Sequence, residues 1–371
     1  MKILLLGEYS NVHATLAKGL RMLGHQVTVV SDGDGWKNYP RDIDLTRRSL
    51  SLTDTLSYYM RAWKIISKCK GYDVVQIINP MFLELQARRI KPFYQHLRRH
   101  NRKVVMCAFG MDHYWVKTGL DCTTFRYSDF NIGKHQRTEE PFNQQYIRDW
   151  LQGDKQQLNT YMANDCDLIV TGLYEYDMCY RPLFPGKTTF IPFPIEPHTV
   201  TLKQENNWSQ KPVSIFIGIQ TTRSSYKGTD IMLRALQRVK EKYPDRLEIV
   251  KVESVPFDEY KKLMQSSDVI IDQLYSYTPA MNALQAMSQG LVVVGGGEPE
   301  NYEILGETEL RPIINVLPDE ADCYRKIEDL VLHPERIPQL KRESIEYIHR
   351  HHDYIKVAMQ YEKIYKKQKG L

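Results

Sequence analysis

The sequence predicts an α/β protein of two domains, each a parallel sheet flanked by crossover helices. Three observations predict it. The chain has 371 residues, too long for one ordinary hydrophobic core. Short apolar runs alternate with helical patterns in two separate series, the signature of βαβ units. Between the series, residues 196–212 are poor in apolar side chains and contain Pro, Asn and Gln, which reads as a linker.

The first series opens with a strand at 2–6 (KILLL). Its apolar part is only ILLL and no cleavage-like segment follows, so it reads as a core strand and not as a leader. A helix follows over 13–23 with Gly24 as its stop, then a strand at 26–30. DVVQII (73–78), KVVMCAF (103–109) and DLIVT (167–171) are runs suited to strands covered on both faces. Residues 113–160 interrupt the alternation with a polar, aromatic insertion in which 141–151 reads as helical. After the linker come a strand at 213–217, a helix at 229–243, a strand at 247–252, a helix at 258–265 and a strand at 269–274. Thr278-Pro279 is expected to start the next helix, Thr278 as cap and Pro279 at the first position, with Gly290 ending it. A strand at 291–294 then runs into Gly295-Gly296-Gly297. A long helix over 341–367 closes the chain, with Ile345, Ile348, Ile355, Met359, Tyr361 and Ile364 on it. The expected division is 1–195 together with about 346–371, and 196–345.

The composition, 42% hydrophobic and 26% charged, is that of a globular protein. No apolar run reaches the roughly 18–20 residues needed to cross a bilayer. The six cysteines are scattered with no C-x-x-C pair, which excludes a zinc ribbon and fits reduced thiols in a cytoplasmic protein. A P-loop is absent, and Lys227-Gly228-Thr229 has its order reversed for one. The first βα turn, GEYSNVH, has one glycine where a dinucleotide site needs three, so no cofactor is expected. Asp32/Asp34 and Asp165/Asp167 are acid pairs in a turn and beside a core strand, and no metal is expected.

Two segments carry site chemistry. In 266–303 the expected helix start presents open amides at the carboxyl end of a strand, an anion site. In 218–229 a strand ends at Gly218 and a loop brings Arg223 and Lys227 to the start of a helix. Two cations beside helix amides suit a diphosphate, although a solvated loop would also carry such residues.

Together these segments resemble the donor-binding half of group 1 (family 4-like) glycosyltransferases. The resemblance lies in Lys227-Gly228-Thr229, the DVIIDQL strand, the ALQAMSQG helix and the GGGEPE loop. The first half is similar in its opening strand and helix, its Gly110-Met111-Asp112 turn and its IPFP segment. The resemblance implies the GT-B fold: two Rossmann-like domains facing across a cleft, with a C-terminal helix crossing back to the first. It implies a nucleotide diphosphate sugar as co-substrate, bound by Gly7, Gly218, Arg223, Lys227, Gly228, Thr278, Ala280, Met281, Gln285, Gly296, Gly297 and Glu298. Arg223 and Lys227 would also stabilise the departing diphosphate. Many relatives have two glutamates eight positions apart where this chain has Tyr277 and Gln285. Glu298 and Glu300 are candidate substitutes, or simply loop acids.

On the acceptor side, Asp112 and His113 follow a buried strand and are candidates to orient or deprotonate a hydroxyl. Glu8 and His13 line the first βα turn. The aromatic run Phe125–Phe130 either touches acceptor sugar or packs. Residues 88–103 hold seven Lys/Arg and no acid, with Ile90, Phe93, Tyr94 and Leu97 between them. Arg88, Arg89, Arg98 and Arg99 are therefore candidates for contact with an anionic membrane, or for a solvated helix face. Nucleic acid is not expected, because no reader motif accompanies the patch. The expected activity is metal-independent hexosyl transfer, with retention, to a saccharide or lipid-linked saccharide. Its expected setting is surface-polysaccharide synthesis at the inner face of a bacterial membrane. A nucleotide-sugar epimerase and a non-catalytic nucleotide-sugar binder are the alternatives.

Overall fold

The structure is a computed structural model describing residues 1–198, 211–253, 255 and 257–367. Most of the expected linker thus lies outside the described residues. The chain divides into two compact units, 1–118 with 145–194 and 354–371, and 119–144 with 195–353. The sequence division placed 119–144 in the first domain, whereas the chain groups it with the second unit. Among the described residues no helix is long and apolar enough to cross a membrane.

The first unit is built on a seven-stranded parallel sheet. Its order is Thr188–Phe190, Leu168–Thr171, Lys103–Ala108, Val74–Ile77, Lys2–Leu6, Gln26–Ser31, Ile43–Asp44. The central strands are buried almost throughout, as continuous apolar runs require when helices cover both faces. Strand order reverses between Lys2–Leu6 and Val74–Ile77, the topological switch point. Helix Val12–Met22 packs on the final helix, Tyr354–Lys366. Gly19 makes this possible: a Cβ there would overlap the Tyr354 carbonyl and the Ala358 methyl. Lys103, buried at the start of its strand, donates Nζ to the carbonyls of Ile364 (3.3 Å), Tyr365 (2.8 Å) and Lys367 (2.6 Å). A cation thereby caps the negative end of the last helix.

The single terminal helix expected over 341–367 is instead two, Ile337–Tyr347 and Tyr354–Lys366, separated by a π-helical turn at Ile348–His352. The break has a local cause. Ile195 N–H donates to the His352 carbonyl (2.7 Å), and Ile195 pairs with Asp353 as an isolated parallel bridge. That bond takes the backbone out of the helix.

The second unit has a five-stranded parallel sheet. Its order is Leu247–Glu253, Val213–Ile219, Val269–Ile271, Val292–Gly295, Ile313–Asn315. Its core joins Ile215 and Ile217 to Val269, Val292 and Val294 from the strands, with Met232, Leu236, Ile327 and Leu330 from the helices. The switch point lies between Val213–Ile219 and Val269–Ile271. Segment 119–144 adds a three-stranded antiparallel meander, Tyr127–Ser128, Asn131–Ile132 and His135–Gln136.

Candidate functional site

Three loops meet at the carboxyl edge of the second sheet. The loop after Val213–Ile219 passes through a 3-10 turn at Thr221–Arg223 and a short helix, Ser224–Lys227, before helix Thr229–Lys242. Gly228 joins the two helices at φ 72°, and a Cβ there would sit 2.7 Å from Leu274 Cβ. Glycine is needed twice over, for the left-handed backbone and for the approach to the next loop. The Lys227 carbonyl accepts from Leu274 N–H (3.0 Å), locking the loops together.

Arg223 lies over the rings of Tyr226 (5.0 Å) and Phe142 (5.6 Å). Its Nε is buried and has no hydrogen-bond partner among the described residues. A guanidinium held by aromatic faces, with a donor unspent, is poised for an anion. Lys227 acts electrostatically on the half-buried Asp272, whose pKa desolvation raises while Lys227 opposes the rise.

The second loop, 272–280, leads to helix Met281–Ser288. This helix starts later than the sequence suggested. Its N-cap is Ala280, with no side-chain cap, and Thr278 is buried two residues ahead, its carbonyl accepting from Ser276 Oγ (2.5 Å). Thr278 is thus a loop residue and not the cap. The amides of the first turn, from Met281 onward, remain the anion-seeking end of the helix. Gln285 donates Nε2 to Ser288 Oγ (3.2 Å) and lies 2.8 Å from His198 Nε2.

In the third loop the glycines serve packing. A Cβ on Gly296 would overlap the Ser276 carbonyl, and one on Gly297 would sit 2.7 Å from Ile313 Cγ2. Gly297 N–H donates to Asn315 Oδ1 (2.9 Å). Gly218 likewise makes room for the ring of Tyr260, 2.9 Å from where its Cβ would stand.

Segment 119–144 straps these loops, a feature the sequence reading missed. Arg126 ion-pairs with Glu298 (2.9 Å) and Glu300, and its guanidinium lies 4.7 Å over the Tyr277 ring. Arg126 N–H donates to Tyr277 Oη (2.7 Å). Glu298 also accepts from Tyr127 Oη (2.5 Å) and Asn315 Nδ2 (3.0 Å). Buried and taking three donors, Glu298 is a structural carboxylate and not an open ligand group, which corrects its expected role. Arg137 donates to the Ser225 carbonyl (2.9 Å) and stacks 3.6 Å over Tyr275, while Tyr226 Oη donates to Asp129 (2.8 Å). Phe125, Tyr127 and Phe130 are buried, so this run packs and does not present its rings to a sugar. An arginine flanked by aromatics was its one visible signal.

In the first unit, Gly7 ends the central strand at φ 79° at the switch point. Glu8 and His13 are buried there. The Glu8 carboxylate accepts from His13 N–H (3.2 Å) and Ala14 N–H (2.8 Å), capping helix Val12–Met22, and burial pushes its pKa up to about 8. His13 Nδ1 lies 2.8 Å from the Gly7 carbonyl, which can only accept, so Nδ1 carries the proton. Nε2 then accepts from Gln76 Nε2 (3.1 Å), and Gln76 Oε1 accepts from Tyr365 Oη (2.6 Å). Both residues are thereby structural, a correction to their expected acceptor role.

Asp112 is also fully committed. It accepts from Tyr180 Oη (2.6 Å) and Trp115 N–H (2.8 Å), and burial raises its pKa to about 6. It positions the following helix and is not an open base. His113 differs. Its Nδ1 lies 2.8 Å from the Trp150 carbonyl, which fixes the proton there and leaves the lone pair on Nε2. Burial lowers its pKa, which favours the neutral ring.

Among the basic residues, Arg98 is bidentate with Asp167 (2.8 and 3.1 Å) and pairs with Asp165 (3.2 Å). It is internal glue and not membrane contact. Arg88 bonds Gln86 (3.0 Å), and Arg89 and Arg99 are exposed.

No protein-family model and no curated protein sequence matches the chain. Solved structures do. HepE of Anabaena, determined with UDP and glucose, superposes with a TM-score of 0.60 at 12% identity, covering 98% of this chain and 99% of that one. WaaG, a glycosyltransferase involved in lipopolysaccharide biosynthesis, gives 0.56 at 11% identity over 99% and 100%. A Listeria monocytogenes protein described as a UDP-N-acetylglucosamine 2-epimerase gives 0.52 at 12% over 100% and 98%. The chain has the GT-B fold of these structures.

Proposed function

We propose that the protein is a glycosyltransferase that moves a sugar from a nucleotide diphosphate sugar to a saccharide or lipid-linked saccharide. One observation carries the proposal: Arg223 and Lys227 stand at the switch point of the second sheet, where open α/β sheets bind ligands, and Arg223 has a buried donor unspent. Breaking the anomeric C–O bond leaves its electron pair on the β-phosphate oxygen. The two cations and the first amides of Met281–Ser288 would meet that charge as it develops, which lowers the barrier without a metal. On the acceptor, His113 Nε2 would take the hydroxyl proton. Retention of configuration is proposed on the sequence resemblance alone. WaaG's place in lipopolysaccharide biosynthesis supports a surface-polysaccharide setting on the cytoplasmic side of the membrane.

A thermal-shift screen against nucleoside diphosphates and nucleotide sugars tests the reading. A nucleoside diphosphate should raise the melting temperature, and the rise should vanish in the Arg223→Ala/Lys227→Ala double variant. No shift with any nucleotide would refute it. The epimerase reading has its own support in the Listeria neighbour. It requires conversion of the nucleotide sugar with no acceptor present, which a transferase does not perform.

A further inference from the structure

Helix Leu52–Ile66 carries two apolar faces. Tyr58, Ala62 and Ile66 point inward and are buried. On the other side Leu52 is 88% exposed, Leu56 60%, Met60 58% and Trp63 38%. Steps of four, four and three place these side chains along one side of the helix. Leu50, just ahead of the N-cap Ser51, is 83% exposed and lengthens the stripe. Single exposed apolar residues are ordinary, but a contiguous run marks an interaction surface.

The charge around the stripe identifies the partner. Residues 48–103 contain twelve Lys/Arg and three Asp/Glu, a net of +9 in a chain whose total is +5; setting aside the internally held Arg98 and Lys103 leaves ten cations. The rest of the protein is therefore net negative. Two of the three acids are already engaged: Asp54 accepts from Ser49 N–H (2.8 Å) and Asp73 from Lys2 N–H (2.7 Å). Helix Ala87–His100 lies alongside, with the Trp63 ring edge-on to Phe93 at 4.9 Å and to His96 at 5.8 Å. From that helix Arg88, Arg89, Lys91 and Arg99 reach solvent, as Arg48, Lys64, Lys68 and Lys70 do from and around the first.

We propose that this face binds an anionic lipid bilayer. Helix Leu52–Ile66 lies in the interfacial plane with Leu52, Leu56, Met60 and Trp63 at the acyl boundary, and the surrounding cations meet the headgroups. A second copy of the chain is a poor occupant, because it would press two like-charged faces together. Nucleic acid would use the cations and leave the aliphatic stripe in water. The inference rests on the first unit's surface alone and does not depend on the sugar-donor reading.

Flotation of the full chain with vesicles tests it. Vesicles of phosphatidylcholine with about a third phosphatidylglycerol should carry the protein, pure phosphatidylcholine should not, and salt should weaken the binding. The triple variant L52S/L56S/M60S should partition at least about tenfold less, with an unchanged melting temperature because these side chains are exposed. Trp63, left in place, should shift its emission to the blue with anionic vesicles, and Trp63→Phe should remove that shift. Wild type failing to float, the triple variant floating equally well, or a concentration-dependent dimer abolished by the triple variant would each overturn the proposal.

Discussion

Acidification should weaken the first unit through one residue, His13. Its imidazole is buried between the Gly7 carbonyl and Gln76, with Tyr365 of the last helix completing the chain. Burial lowers its pKa from 6.5 to about 4. The folded state therefore binds a proton less readily than the unfolded chain. The neutral ring's contribution is complete above pH 6.5 and is lost as pH falls toward 4. At about 1.4 kcal/mol per pH unit, that window is worth about 3 kcal/mol. The assay compares wild type with His13→Gln in urea between pH 7.5 and 4, following hydrogen exchange in Val12–Met22 and Tyr354–Lys366. Wild type should lose about 3 kcal/mol more than the variant over the window. Glu8, raised to about 8, acts with the opposite sign and loses its contribution as pH rises from 4.5, but it is common to both proteins. A His13 resonance titrating near 6.5, or parallel pH slopes for the two proteins, would refute the buried network.

Three further outcomes follow from the same geometry. Lys227→Ala should weaken nucleoside diphosphate binding by about 1.5–3 kcal/mol, the range for a bond to a charged group; equal affinity in calorimetry would remove it from the site. Lys103→Met should leave the carbonyls of Ile364, Tyr365 and Lys367 without their donor and cost about 2 kcal/mol. Exchange in the last helix reads this, and unaltered protection would count against the cap. Arg126→Ala should loosen the strap and leave the buried Glu298 short of its cation, costing about 1–2 kcal/mol after allowance for the half-exposed guanidinium. Proteolysis within 119–144 should quicken, and an unchanged rate would show that the strap holds without it.

The parallel sheets were legible because each strand is a continuous apolar run, and Gly24 and Gly290 mark helix ends by chemistry that acts locally. What escaped depends on distant partners. Arg126 and Glu298 lie 172 residues apart, and nothing near Arg126 in sequence says that it belongs to the second unit. The same holds for His13 and Asp112, whose partners Gln76 and Tyr180 lie 63 and 68 residues away. Glu8 is consumed locally, by the amides of His13 and Ala14. At the terminal helix the periodicity runs on through 348–352, and only the bridge to Ile195 breaks it.

The strap also bears on Tyr277 and Gln285, which stand where the sequence resemblance leads one to expect glutamates. A diphosphate carries charge that nearby carboxylates repel. Here the two loop acids closest to the glycines, Glu298 and Glu300, are paired by Arg126, and Glu298 is bound further by Tyr127 and Asn315. Tyr277 keeps its proton, its pKa pushed up to about 12 mainly by burial, and Gln285 is neutral. Asp272, on which Lys227 acts, has a pKa raised by desolvation. Around the three loops, positions 277 and 285 are neutral and Glu298 and Glu300 are paired, beside the cations Arg223 and Lys227. On the proposed function, such a site grips the phosphates electrostatically. It reads the sugar and ribose through neutral hydrogen bonds, worth about 0.5–1.5 kcal/mol each instead of the 1.5–3 of a charged partner. Discrimination between sugars should therefore be shallower than discrimination between a diphosphate and a monophosphate.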